Sequence, residues 1–177
     1  MDKRLSSVRH WVLRLGGFLA CLFVLVACAS SPKSDTMKIT YVADYDLNPD
    51  MNGRASPMAI TFYRLVDSEA FNGMDYVTLM ERDIEILGEN LLSKERVIVR
   101  PGETLVRTYA LNGEERAYGI VAGYRVIDSR GWKLTNAIPS ARSGLMKALK
   151  RHQSRHEKVV YVGRRSMHIA PRSSLKQ

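Results

Sequence analysis

At 177 residues, 45% of them hydrophobic and 25% charged, the chain has room for one ordinary domain, and a net charge of +9 is too moderate to imply a nucleic-acid partner by itself. Its two cysteines, Cys21 and Cys28, both lie near the N-terminus, so the rest of the fold must rest on a hydrophobic core.

The chain opens with the three parts of a secretory signal. Lys3, Arg4, Arg9 and Arg14 supply the charged region, Leu15 to Leu25 the apolar core, and small Ala27 stands before the cut. That core is too short to span a bilayer comfortably, and Gly16 and Gly17 weaken it further as a helix. Leu25-Val26-Ala27-Cys28 resembles the lipobox of bacterial lipoproteins. The resemblance implies S-diacylglycerol on the Cys28 thiol, cleavage before Cys28 and N-acylation of the freed amine, with no other cofactor expected. Ala29 and Ser30 follow the cysteine in place of the Asp that marks inner-membrane retention, which implies sorting to the outer membrane with the domain facing the periplasm. Cleavage removes Cys21, four basic residues and one acidic residue, so the net charge falls to +6 and no intrachain disulfide remains possible.

The expected organisation is signal 1–27, lipidated N-terminus and tether 28–36, a β-domain 37–170 and a tail 171–177. The polar stretch Ala29 to Thr36 reads as the tether; eight extended residues reach at most roughly 26–29 Å. Met37, Ile39, Tyr41 and Ala43 then alternate with Lys38 and Thr40, as in a half-buried strand. A second strand is predicted from Met58 to Leu65. The intervening loop, Asp44 to Pro57, is rich in Asp, Asn, Pro and Gly and too long for a tight hairpin, which points to function.

Ser68 is placed to cap a helix in which Phe71, Met74, Val77 and Met80 recur at three-residue spacing, and a shorter turn is predicted over Leu87 to Leu92. Strands are expected over Arg96 to Arg100, Leu105 to Leu111, Tyr118 to Ile127 and Trp132 to Ile138. Pro101-Gly102, Asn112-Gly113 and Asp128 to Gly131 supply the turns between them. Ala141 to Glu157 reads as a basic amphipathic helix or a partly ordered insertion, with Ala141, Leu145 and Leu149 forming its apolar stripe, and Val159 to Ile169 as one closing strand. Short strands at regular spacing indicate an all-β sandwich with a small helical insertion.

Catalytic and metal patterns are not completed. Asp44, Asp46 and Asn48 have the spacing of a calcium loop, but Pro49 and Ala55 occupy the positions that need Gly and Glu. His152 and His156 lie four apart without the glutamate of a zincin, since Gln153 stands beside the first. No nucleophile elbow or phosphate loop occurs. The reading is therefore no enzyme, no metal, no nucleic acid and no small-molecule substrate. The basic stretch Arg142 to Arg172 has only Tyr161 as a stacking platform; it reads as a solvated face or, given the expected location, one turned to anionic phospholipid.

Leu47-Asn48-Pro49-Asp50, Gly53-Arg54, Ser56-Pro57 and the strand ending Phe62-Tyr63-Arg64-Leu65 open an ordered series of motifs. It continues through Phe71, Asp75-Tyr76, Leu79, Leu87-Gly88, Leu91-Leu92, Pro101-Gly102-Glu103 and Ala122-Gly123-Tyr124-Arg125 to Trp132. The series resembles the TssJ (VasD/Lip) family of type VI secretion lipoproteins and covers Met37 to Pro139. The resemblance implies a transthyretin-like two-sheet sandwich. It also implies a non-catalytic role in the TssJ-TssL-TssM membrane complex: tethering the periplasmic domain of TssM, and through it TssL, to the outer membrane. In the family the loop between the first two strands meets TssM, which carries over to Asp44 to Ser56, with Leu47, Asn48, Asp50, Asn52 and Arg54 as expected contacts. Ala55 stands where the family more often has proline, and the insertion after Pro139 is longer than the family's pattern. The rival expectation is a lipid-anchored carbohydrate-binding or envelope-assembly sandwich using Tyr41, Tyr63 or Trp132.

Overall fold

The computed structural model describes residues 35–127, 130–138 and 155–170. The signal, Cys28, the tether up to residue 34, residues 139–154 of the basic segment and the tail lie outside the described residues. Within them, β1 (Asp35–Ala43) and β2 (Met58–Leu65) are followed by the short helices α1 (Glu69–Gly73), α2 (Tyr76–Glu81) and α3 (Asp83–Leu87) and a 3-10 turn, Gly88–Asn90. Then come β3 (Leu91–Val99), β4 (Thr104–Leu111), β5 (Ala117–Ala122), a second 3-10 turn (Arg130–Trp132), β6 (Lys133–Ala137), β7 (Arg155–Val162) and β8 (Met167–Ala170). They form two four-stranded sheets, ordered β4-β1-β7-β8 and β3-β2-β5-β6. β1 runs parallel to β7; the other pairs are antiparallel.

The core between the sheets follows from strand periodicity. Met37, Ile39, Tyr41 and Ala43 of β1 are all buried, as the alternation requires, and share one cluster with Met58, Ile60 and Phe62 of β2 and Tyr118, Ile120 and Ala122 of β5. Phe62 stacks on Tyr109 with ring centroids 3.8 Å apart. The hydroxyls of Tyr41 and Tyr109 lie 3.2 Å apart and hydrogen-bond each other, so neither is buried unsatisfied. Burial pushes the Tyr109 hydroxyl up to about 12, and that of Tyr41 higher still.

β2 and β5 are buried on both faces because the helices cover the outer side of their sheet. Tyr63, Leu65, Ala117 and Val121 pack there against Phe71, Met74, Leu79 and Leu87. Gly119 belongs to this contact: a Cβ there would lie 2.3 Å from the Phe71 ring, so only glycine admits it.

The helical insertion differs from the single helix expected from Ser68. Met74 is extended, α2 starts afresh at Asp75, and Val77 is 60% exposed, so the three-residue stripe does not form. The reason is local competition. Asp75 caps α2 through Thr78 N, at 2.8 Å. Lys133 from β6 donates to the carbonyls of Phe71, Asn72 and Met74 at 3.0, 2.9 and 2.7 Å, satisfying the end of α1 from outside. The Ser68 side chain makes no cap.

Other boundaries move for reasons of pairing. β3 begins at Leu91, five residues before the expected Arg96, because it is an edge strand whose exposed Lys94, Glu95 and Arg96 hide the alternation. β5 stops at Ala122, where Gly123 N turns to Ala59 O, leaving Val126 and Ile127 outside the sheet. The expected closing strand is two, β7 and β8, joined through a turn in which Gly163 N bonds Ser166 O. Arg155 to Glu157, expected at the end of a basic helix, pair instead with Thr36 to Lys38 of β1. Tertiary pairing overrides the local charge pattern there.

Where the chain enters β1, charges are buried and paired. Asp35 stands opposite Leu111, just before the turn in which Glu115, 3% exposed, accepts from Arg64 at 2.8 Å and from the backbone N–H of Asn112 and Gly113. On the helical side, Asp83 accepts from Tyr63 at 3.0 Å and Lys94 at 2.7 Å.

Candidate partner-binding site

Strand register gathers four connections at the other end of the sandwich. Ala43 pairs with Val162, Val42 with Thr104, Met58 with Val99 and Ile60 with Ala122, so the β1–β2, β3–β4, β5–β6 and β7–β8 connections leave their sheets side by side. The long β1–β2 loop, 44–57, is the largest of them and is built around two side chains.

The first is Asp50. Its Oδ1 accepts from the backbone N–H of Asn52 and Arg54 at 2.8 and 2.9 Å, while Oδ2 accepts from Arg54 Nε at 2.8 Å. Asp50 N donates to Arg54 O, and Gly53, at a φ of 76°, closes the turn by donating to Asp50 O. These donors, led by the Arg54 N–H, hold the carboxyl below its ordinary range.

The second is Asn48, which adopts a left-handed φ of 47°. Its N–H donates to Arg164 O at 3.1 Å, its Oδ1 accepts from Arg125 N at 2.8 Å, and its Nδ2 reaches Pro57 O at 3.4 Å. One buried asparagine therefore ties the β1–β2 loop to the β5–β6 and β7–β8 connections. Asp44 adds a further tie, accepting from Tyr161 Oη at 2.6 Å, and Tyr45 lies over Gly102, whose missing Cβ leaves room for the ring.

This geometry sorts the expected contacts. Leu47 is 0% exposed and belongs to the sandwich core, so within the chain its side chain anchors the loop. Asn48 is 4% exposed and its amide is engaged within the chain. Asp50 shapes the tip. Asn52 and Arg54 remain exposed, the Arg54 side chain at 76%. Sequence reading missed Met51, which is completely exposed, and Tyr45, at 84%. Both are large apolar residues in an otherwise polar loop, and that was the available signal. It also missed Arg125, Val126 and Arg164, which come from distant connections and share with the loop tip a groove of about 630 Å³.

Among the described residues no group of three or more His, Cys, Asp or Glu side chains is disposed to hold a metal ion. Asp44 is engaged by Tyr161, and Asp46 pairs with Arg164 at 3.2 Å. Of the aromatics on which the carbohydrate-binding alternative depends, Tyr41 and Tyr63 are buried, and Trp132 packs edge-on against Tyr76 with Lys133 over its ring. A rigid, partly apolar and partly cationic surface of three loops is suited to a protein partner.

Residues 35–165 match the model of the family described as type VI secretion lipoprotein, VasD, EvfM, TssJ. No curated protein matches significantly. Among solved structures, the lipoprotein TssJ1 of the type VI system of Pseudomonas aeruginosa is similar at 26% identity and a TM-score of 0.68, over 78% of this chain and 97% of that one. Serratia marcescens Lip, a membrane-bound component of the same kind of system, shares the fold at 18% identity and a TM-score of 0.70, over 78% of this chain and 98% of that one. A chain in the structure of the TssM C-terminal domain of the type VI system from EAEC shares it at 15% identity and a TM-score of 0.60, over 77% and 98%.

Proposed function

The chain belongs to the family of type VI secretion lipoproteins, and on that premise we propose that it is a non-catalytic outer-membrane anchor for the periplasmic domain of TssM. Cys28 carries the diacylglyceryl and acyl chains, and Ala29 and Ser30 direct the lipoprotein to the outer membrane. Several acyl chains hold firmly where one would exchange, since each buried methylene contributes roughly 0.8 kcal/mol. The three-loop surface grips TssM, and through TssM the lipoprotein joins TssL.

The observation that carries this reading is the separation of the two ends. The tether joins β1 at Asp35, and the 44–57 loop leaves β1 after Ala43, so the loop lies at the opposite end of β1 from the residue where the tether enters. Confinement to a membrane raises the local concentration of the loop near its partner, so a modest intrinsic affinity suffices.

The test is Cys28→Ser in a secreting strain. The expected outcome is a folded, soluble periplasmic domain that still binds TssM in pull-downs, with export of the secretion tube protein abolished. Normal export would overturn the anchoring role, and loss of TssM from pull-downs of both wild type and variant would overturn the partner.

A further inference from the structure

The groove beside the loop tip has its own chemistry. One wall is Asn48 to Met51 with Gly53 of the β1–β2 loop, another is Tyr124 to Val126, and Arg164 and Arg165 complete it. Its apolar surface comes from Pro49, Met51 and Val126, of which Met51 and Val126 are exposed. Its charge is positive. Asp50, the carboxylate in its lining, is already satisfied by two backbone N–H groups and Arg54. Arg125 is exposed, forms no ion pair among the described residues, and acts on Asp50 only through its charge. Arg164 has only a half-exposed pairing with Asp46, which contributes little in water and is readily exchanged.

The groove is also prebuilt. Asn48 fixes Arg125 through its backbone and Arg164 through its carbonyl, so both guanidinium groups project from held main chain without using their own hydrogen-bonding capacity for it. Binding there orders little that is not already ordered. Arginine adds a planar fork matched to carboxylate geometry.

We infer that this groove receives an acidic segment of the partner, with carboxylates meeting Arg125 and Arg164 and an apolar side chain packing on Met51 and Val126. The inference rests on the reading of this end as the TssM-binding end and specifies its chemistry. A lipid headgroup of the anchoring membrane is the less suitable anion. The groove opens beyond the far end of β1, and a strand of this length spans about 30 Å from the point where the tether enters.

The experiment uses the full-length lipoprotein in detergent micelles and the periplasmic domain of TssM, with affinity measured at low and moderate salt. Arg125→Glu and Arg164→Glu are each expected to weaken binding by more than about tenfold and to flatten its salt dependence, with thermal unfolding unchanged. Arg125→Lys, which keeps the charge without the planar fork, should recover the salt dependence and part of the affinity. Met51→Asp tests the loop itself. If both arginine variants bind with wild-type affinity and salt response while Met51→Asp loses binding, the acidic-segment inference is overturned and the loop reading stands. If Met51→Asp also binds normally, both fall. If Arg125→Glu loses co-sedimentation with phosphatidylglycerol vesicles but keeps its TssM affinity, the arginines serve lipid and the inference is overturned.

Discussion

The two ends of the sandwich handle charge in opposite ways. Where the chain enters, Glu115 and Asp83 are 3% and 5% exposed and accept from side chains of distant strands, Arg64 for the first and Tyr63 and Lys94 for the second, as well as from nearby backbone N–H groups. At the loop end, Asp50 and Asp46 pair with arginines that are at least half in water, and the exposed Arg125 acts on Asp50 only through its charge. Removing one partner of a buried pair strands the other without solvation, whereas an exposed pair exchanges with water at little cost. The entry end thus locks its charges in place, whereas the loop end keeps its pairs where water exchanges them.

Four measurements test that contrast. Glu115→Ala should cost about 3–5 kcal/mol in chemical denaturation, because Arg64 and two backbone N–H groups lose a shared acceptor; a loss near zero would place the entry end in the same class as the loop. Leu47→Ala, at the root of the loop, should cost about 2–5 kcal/mol for an emptied core position. Met51→Ser, only four residues on, should change stability by no more than about 0.5 kcal/mol while weakening TssM binding. A Met51 variant that unfolds would contradict its exposure. Last, the Asp50 carboxyl is held below its ordinary value, so the order it gives the loop is present above about pH 4 and is lost as pH falls through the depressed value. The amide NMR signals of Asn52 and Arg54 should titrate together, with a midpoint below about 4, and stay flat in Asp50→Asn.

Much of the sheet was legible because its side chains follow period two. β2 has the bounds expected from sequence, and β1 buries the four residues its alternation nominated. What escaped reading depends on partners remote in sequence. Lys133 ends α1 from another strand, and β7 exists in its first residues because β1 offers a free edge to pair with. The same applies to the site. Loop length and the resemblance both pointed to this loop, but the stretch Leu47 to Arg54 mixes residues that build the loop, Leu47 and Asn48, with residues that face outward, Met51, Asn52 and Arg54. Only burial separates them. Arg125 and Arg164 reach the site through Asn48, and no local pattern announces that bridge.

β1 is bonded along its length on both sides, antiparallel to β4 from Asp35 to Val42 and parallel to β7 from Thr36 to Ala43. Tether and loop are its two continuations, so on the proposed anchoring role a pull between anchor and partner runs along the covalent backbone of this one strand. Its ladder bonds to β4 and β7 lie across that direction and hold the strand in place without carrying the tension between its ends. In mechanical terms, the load path bypasses the joints between strands.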